Sequence, residues 1–325
     1  MSKAVRIHKT GGPEVLKWED INVKNPGIGE VKIHHKAIGL NYIDIYGRTG
    51  LHPLPSLPHI LGMEATGVVE AIGDGVNDII IGDRVGYVLS PPGSYSEERI
   101  VPEQCLIKLP NEISYEAGAA MLLKGMTAQY LLHQTYKIKT GDNILIHAAA
   151  GGVGLIACQW AKHLGANVIG TVGNEEKAAL AKSHGCDHAI IYTQESFKQR
   201  VDEITEGKGV NVVYDSIGRA TFFDSLDCLK PLGLMVTFGN STGHVDPFSP
   251  NILASKGSLF ITRPTIFTYI AKRSNLMYMA TDLFKMVSSG VVKIEINQTY
   301  DLRDAAQAHS DLEDRKTTGS TILRP

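Results

Sequence analysis

Hydrophobic and polar positions along this chain follow two rhythms, and the change between them falls near residue 113. Up to about residue 110 the apolar residues come in short β-like runs: EVKIHHKAIGLN, ATGVVEAIG and DRVGYVL, the last followed by the turn SPPG. No long stripe with a 3.6-residue period interrupts them, so this stretch predicts a β-rich, partly closed module with tight turns. The segment HPLPSLPH carries three prolines in eight residues. That excludes regular structure and predicts an ordered loop or a linker.

The stretch SYEAGAAMLLKGMTAQYLLHQ then reads as a helix with Ser114 as its N-cap. From residue 143 short apolar strands alternate with helical stretches. The strands are NILIHAA, ANVIGTVG, CDHAIIYT, VNVVYDSIG, GLMVTFGN and GSLFITRP; the intervening helices are VGLIACQWAKHLG, EEKAALAKSHG, SFKQRVDEITEG, TFFDSLDCL and SPNILASKG. This is the pattern of an α/β fold with a parallel, doubly wound sheet. A helical stretch from Tyr269 to Ser289, the β-like VVKIEINQTYDL, the helix DAAQAHSDLEDR and a terminal STILRP close the chain. A chain that ends in a strand after leaving such a sheet is expected to return to the first module, making that module discontinuous.

The 325 residues, 43% hydrophobic and 20% charged with a net charge of -2, describe a globular protein large enough for a sizeable core. A pI near 6.6 provides no basic field for nucleic acid or anionic lipid. No apolar run is long enough for a membrane span, and MSKAVRIHKTGGPE reads as a strand entering a turn, not as a targeting signal. The four cysteines, at 105, 158, 186 and 228, are too scattered for a disulfide framework or a cysteine-rich zinc lobe, and suit the cytoplasm. The 33 glycines stand out, and the sharpest local signal uses them.

That signal is HAAAGGVGLIACQWAKHLGA. A strand, Ile144 to Ile146, runs into Ala149-Ala150-Gly151-Gly152-Val153-Gly154, and Val153, Ile156, Ala157, Trp160, Ala161 and Leu164 follow at helical spacing. This is the setting of a dinucleotide-binding turn in a Rossmann sheet, where glycines admit a pyrophosphate to a helix N-terminus. The first glycine of the fingerprint is Ala149 here, which is tolerable where no positive φ is needed; a bare turn without ligand is the alternative. An NAD enzyme usually ends its second strand with an acid that holds the ribose 2′-OH. This chain has Thr171-Val172-Gly173-Asn174, then Glu175, Glu176 and Lys177. The acids suit a helix first turn, while Lys177 and Tyr192 can meet a 2′-phosphate, so NADPH is expected over NADH. For zinc, Gly62-Met63-Glu64 offers a thioether where a histidine is wanted, and residue 41 is an asparagine. His34 and His35 point to opposite faces of one strand. No metal is expected.

These residues resemble the bacterial NADPH:quinone oxidoreductases, the zeta-crystallin-like branch of the zinc-free medium-chain dehydrogenase/reductases. The resemblance is carried by Gly141-Asp142, Leu145, the run Ala149 to Gly154, Gln159 and Lys162, and it extends from HKTGGPEVL through KAIGLNYIDIYGRTGL, TAQYLL and TFGNSTG to TGSTIL. It implies a GroES-like substrate domain from residues 1–124 and 263–325, a Rossmann domain from 125–262, a cleft between them, and a homodimer formed through GSLFITRP. It also implies cofactor contacts at Gly152 and Val153 (pyrophosphate), at Gly173, Lys177 and Tyr192 (2′-phosphate), and at Tyr130, Phe238, Asn240, Ser241 and Arg315. Asn41, Tyr46 and Arg48 fall where such proteins line the nicotinamide and quinone pocket, and His52 stands where relatives often carry tyrosine.

A quinone is a good hydride acceptor, so catalysis can rest on holding the nicotinamide against it. Hydrogen bonds from Asn41 or Tyr46 are expected to stabilise the developing phenolate oxygen. A zinc-free enoyl or enone reductase, with Tyr46 as proton donor, is one rival reading. A non-catalytic NADPH-binding protein, crystallin-like or RNA-binding, is the other.

Overall fold

The computed structural model describes residues 2–88 and 91–325. Leu89 and Ser90, at the join of DRVGYVL and SPPG, lie outside the described residues, as does Met1. The chain divides into two compact units. The first comprises the chain up to Lys124 together with Lys272–Ser288 and Ile294–Pro325; the second comprises Gly125–Ala271 with Ser289–Lys293. Residues 263–271, which the resemblance assigns to the substrate domain, thus group with the second unit.

The early strands are β1 (Ser2–Ile7), β2 (Lys17–Ile21), β3 (Glu30–Leu40), β4 (His59–Ile60), β5 (Glu64–Ile72), β6 (Arg84–Val88), β7 (Glu98–Pro102) and β8 (Ile107–Lys108), with helix α1 (Tyr42–Thr49) after β3. HPLPSLPH forms no element before His59. Helix α2 (Tyr115–Tyr130) begins as its sequence predicts, with Ala117 N–H donating to Ser114 Oγ at 3.1 Å.

The second unit holds β9 (Asn143–Ile146), α3 (Gly152–His163), β10 (Asn167–Val172), α4 (Glu175–Ser183), β11 (His188–Ile191), α5 (Phe197–Ile204), β12 (Val210–Asp215), α6 (Phe222–Asp227), β13 (Leu229–Thr237), α7 (Asn251–Ser255), β14 (Phe260–Thr262) and α8 (Ile266–Tyr269). Its six strands run in the order β11-β10-β9-β12-β13-β14, all parallel. That is the doubly wound order, with the first strand of the set beside the point where the order reverses. Apolar runs such as Ile144 to Ile146 are buried because helices cover both faces of a parallel sheet. β13 starts before the predicted GLMVTFGN, and its pairing with β12 shifts register between Val210 and Val212.

The chain then adds α9 (Arg273–Ser288), β15 (Ile296–Asp301), α10 (Ala305–Glu313) and β16 (Ser320–Arg324). β16 pairs antiparallel with β3, so the terminal strand completes the first unit's larger sheet, ordered β15-β16-β3-β5-β6-β8 with β7 also on β3. The GroES-like domain is therefore built from both chain ends. Its core gathers Val31, Ile33, Leu61, Tyr87 and Leu323, residues far apart in sequence.

Candidate active site

One cluster is built from backbone at the C-terminal ends of the second unit's parallel strands. Past β9 the chain stays paired: His147 N–H donates to the Tyr214 carbonyl and Ala149 N–H to that of Thr171. Between them Ala148 takes a left-handed φ of 55°, and Gly151 N–H closes the turn on the Ala148 carbonyl at 2.9 Å. At Gly154 an added Cβ would lie 2.3 Å from the Ala148 oxygen and 2.7 Å from the Ala149 carbonyl carbon. Only glycine lets α3 begin this close to the strand end. Gly151 has no side chain to cap α3, whereas Asn174 caps α4 and Ser196 caps α5. The first amides of α3, those of Gly152 and Val153 among them, are left for an outside acceptor, and the helix dipole favours an anion there.

The adjacent corner holds the second-strand end. Asn174 Oδ1 accepts the Lys177 N–H at 2.9 Å, so this residue serves the helix and leaves no acid on the strand. A Cβ on Gly173 would stand 3.2 Å from Tyr192 Oη, and Thr193 Oγ1 donates to the Gly173 carbonyl at 3.0 Å. Gly173, the first turn of α4 carrying Lys177, and Tyr192 thus meet. A 2′-phosphate fits this set, because a cation and a phenol replace the usual carboxylate.

Phe238 N–H donates to the Asp215 carbonyl at 2.8 Å, and Ser241 N–H to that of Ser216 at 3.3 Å, which holds the loop after β13 beside the end of β12. Asn240, in the amide orientation that satisfies both ends, donates to the Gly239 carbonyl and accepts from Arg263 Nη2 at 3.0 Å. Arg263 also donates to the Thr237 carbonyl at 2.7 Å. Sequence reasoning passed over this arginine, although an arginine directly after the sixth strand was a signal for it. Tyr130 stacks on Tyr269, with ring centroids 4.3 Å apart and planes at 10°; burial holds its phenol well above the usual tyrosine range.

A second cluster is built from side chains of the first unit. Asn41, the N-cap residue of α1, donates its backbone N–H to Asp44 Oδ2 at 2.9 Å. Its Nδ2 donates to Glu64 Oε1 at 2.7 Å and, weakly, to the Gly39 carbonyl at 3.5 Å. Both amide hydrogens are thereby engaged, and Oδ1 faces the Asp44 N–H in the capping box of α1 with a second lone pair for a further donor. Nδ2 is turned to Glu64, so the donation to a phenolate expected of Asn41 does not suit this geometry. The Tyr46 ring lies 5.0 Å from the His52 ring. Burial pushes the Asp44 carboxyl up to about 7, against the bonds from Asn41 N–H and Tyr95 Oη. Tyr95 Oη also meets His309 Nε2 at 2.9 Å, and burial pushes that imidazole down to about 3.

Arg48 is 1% exposed and gives Nη2 to Glu313 Oε1 at 2.7 Å, while its Nε and Nη1 are buried with no hydrogen-bond partner among the described residues. Arg315 stands exposed after α10 with φ 58°.

The positions where a zinc ligand set was sought are filled otherwise. Lys124 Nζ lies 3.4 Å from Glu64 Oε1, and Asn41 and Met63 supply neither thiolate nor imidazole. Zinc does not fit there, because a dication would face an ammonium and a weak donor set. Elsewhere among the described residues the ligand atoms of His34, Glu70 and Glu98 come within 4.8 Å of one another. Lys32 already pairs both carboxylates, at 3.0 and 2.9 Å.

Comparison with known proteins gives the family. Residues 27–111 match the alcohol dehydrogenase GroES-like domain and residues 152–285 match the family described as zinc-binding dehydrogenase. The chain is 50% identical to a quinone oxidoreductase of Pseudomonas aeruginosa over 325 residues, covering 100% of both. It is 48% identical to a 2-haloacrylate reductase of Burkholderia sp, covering 100% of this chain and 99% of that protein. The crystal structure of Escherichia coli quinone oxidoreductase complexed with NADPH is 49% identical, with a TM-score of 0.98 over 99% of this chain and 100% of that one.

Proposed function

The chain belongs to the quinone oxidoreductases of the medium-chain dehydrogenase/reductase superfamily, and from that premise we propose how its residues divide the work. The protein is an NADPH-dependent oxidoreductase that reduces quinones without metal. The observation that carries the cofactor assignment is the uncapped α3 turn beside a strand end that presents Gly173, Lys177 and Tyr192 in place of an acid.

Gly152 and Val153 amides hold the pyrophosphate. Lys177 and Tyr192 hold the 2′-phosphate beside Gly173. Tyr130, Phe238, Asn240 and Ser241 flank the rest of the cofactor, with Arg263 fixing Asn240. When bound, NADPH supplies a hydride to the quinone; with one proton from solvent the products are NADP⁺ and the hydroquinone. Tyr46 donates a hydrogen bond to the quinone oxygen that gains charge, and Asn41 Oδ1 accepts from an N–H or O–H of the bound pair. Orientation does most of the rest, because the acceptor is already electrophilic.

An acceptor panel tests the reaction. With NADPH, 1,4-benzoquinone is expected to be turned over faster than an α,β-unsaturated ketone or 2-chloroacrylate; the reverse order would mark an alkene reductase. A homodimer completes the reading. Among the described residues β14 ends its sheet, with Phe260 59% and Ile261 36% exposed on an edge that pairs no further strand, and a second copy would cover it. Sedimentation should show a dimer in the native protein and a monomer in Phe260→Asp; an unchanged dimer would place the contact elsewhere. The four cysteines are free thiols, which suits the cytoplasm.

A further inference from the structure

Glu64 is fully buried at the start of β5. Its Oε1 accepts from Asn41 Nδ2 at 2.7 Å and Lys124 Nζ at 3.4 Å, and its Oε2 accepts from Leu123 N–H at 2.6 Å. Each of these hydrogen-bond partners is a donor, the surrounding of an ionised carboxylate. Lys124 is 6% exposed and its Nζ also donates to the Leu40 carbonyl at 3.1 Å. The space is reserved for this arrangement: a Cβ at Gly39 would lie 2.3 Å from Glu64 Oε1 and 2.3 Å from the Ala119 carbonyl oxygen. A carboxylate so enclosed is tolerable only with a cation beside it.

We propose that Lys124 is a positioning residue that stands in for a metal ion: its ammonium keeps Glu64 charged, and Glu64 in turn fixes the Asn41 amide with Nδ2 inward and Oδ1 presented as an acceptor. The two ends of an asparagine amide differ little in shape, so its sense is set by its hydrogen-bond partners, and Glu64, at 2.7 Å, is the nearest acceptor of the Asn41 Nδ2. Next to a carboxylate it has one sense only. Removing the ammonium leaves Glu64 either unpaired or protonated, and a protonated Glu64 also donates, which removes the constraint on Asn41. The chain between cation and reaction is thus Lys124 to Glu64 to Asn41, with Lys124 acting through the other two. This inference rests on the assignment of Asn41 to the reaction.

The test compares Lys124→Met, Asn41→Ala, their double variant and Lys124→Arg. The last keeps a cation beside Glu64, and so separates the charge from the packing of the lysine stem. Lys124→Met is expected to lower kcat/KM for quinone on the order of 10²-fold, the scale for a misplaced contact group. Adding it to Asn41→Ala should cost little more, and Lys124→Arg should recover most of the loss. Independently of turnover, the Asn41 side-chain amide resonance, identified by its absence in Asn41→Ala, should shift in Lys124→Met and return in Lys124→Arg. Multiplying effects of Lys124→Met and Asn41→Ala, or an unmoved resonance in folded Lys124→Met, would overturn the proposal. Failure of the native protein to turn over quinone would count against the functional assignment alone, because the resonance still reports on the positioning.

Discussion

The turn before α3 and the nest around Asn41 are both candidate binding places, and they are made of different materials. The first is consecutive backbone, Ala148 to Gly154, with its polarity supplied by helix amides. The second joins side chains from β5, α2 and the start of α1, at residues 64, 124 and 41. Backbone recognition tolerates only glycine at the tight point, so it leaves a motif. Side-chain recognition depends on which long-range partners the fold delivers, so it leaves isolated polar residues in apolar runs.

The sharpest way to break the first region is Gly154→Val. Its Cβ alone would stand 2.3 Å from the Ala148 oxygen, and both partners are backbone. The turn must open, at a cost of about 1–3 kcal/mol in stability, and NADPH binding should fall by more than the order of 10²-fold. Thermal unfolding and an NADPH fluorescence titration check the two effects; native-like binding would mean that this turn does not hold the pyrophosphate.

The second region is exposed through pH. Asp44, raised to about 7 by burial, is favoured in its neutral form by the fold. Between its unfolded pKa near 4 and about 7 the native state therefore holds the extra proton, and this group's contribution to stability declines as pH rises. His35 and His309, lowered to about 3 by burial, act oppositely: the unfolded state takes up protons first, so stability falls as pH drops from about 6.5 towards 3. Asp44 offsets part of the histidine loss. Asp44→Asn should lose stability more steeply on acidification from pH 7 to 5 than the native protein, by about 1–2 kcal/mol, in urea midpoints measured across that range. Parallel curves would mean that Asp44 does not titrate there.

These differences also set what could be read from the sequence. The alternation of apolar strands with helices placed all six strands of the doubly wound sheet, because burial on both faces demands continuous apolar runs. The return of the terminal strand to the first module was legible from topology alone, and β16 lies on β3. Nothing in NYIDIYGR shows that the Arg48 guanidinium turns inward to Glu313, a residue from the far end of the chain. Asn41 was noted, but its polarity was reversed, since the acceptor that engages its amide hydrogens is in another strand. Lys124 was not singled out, although it is a lone lysine in AAMLLKGMTA. A charge in a buried helical run needs a partner, and Glu64 supplies it.

The central claim is that this enzyme passes hydride from NADPH to quinones, with the 2′-phosphate read by Lys177. Its most direct test is kcat/KM for NADPH and for NADH, with benzoquinone as acceptor, in the native protein and in Lys177→Ala. The account predicts turnover with a preference for NADPH, and a loss of roughly 10- to 100-fold for NADPH alone in the variant, the scale of a charge-assisted contact. Equal effects on the two cofactors, or no oxidation of NADPH by the quinone, would contradict it.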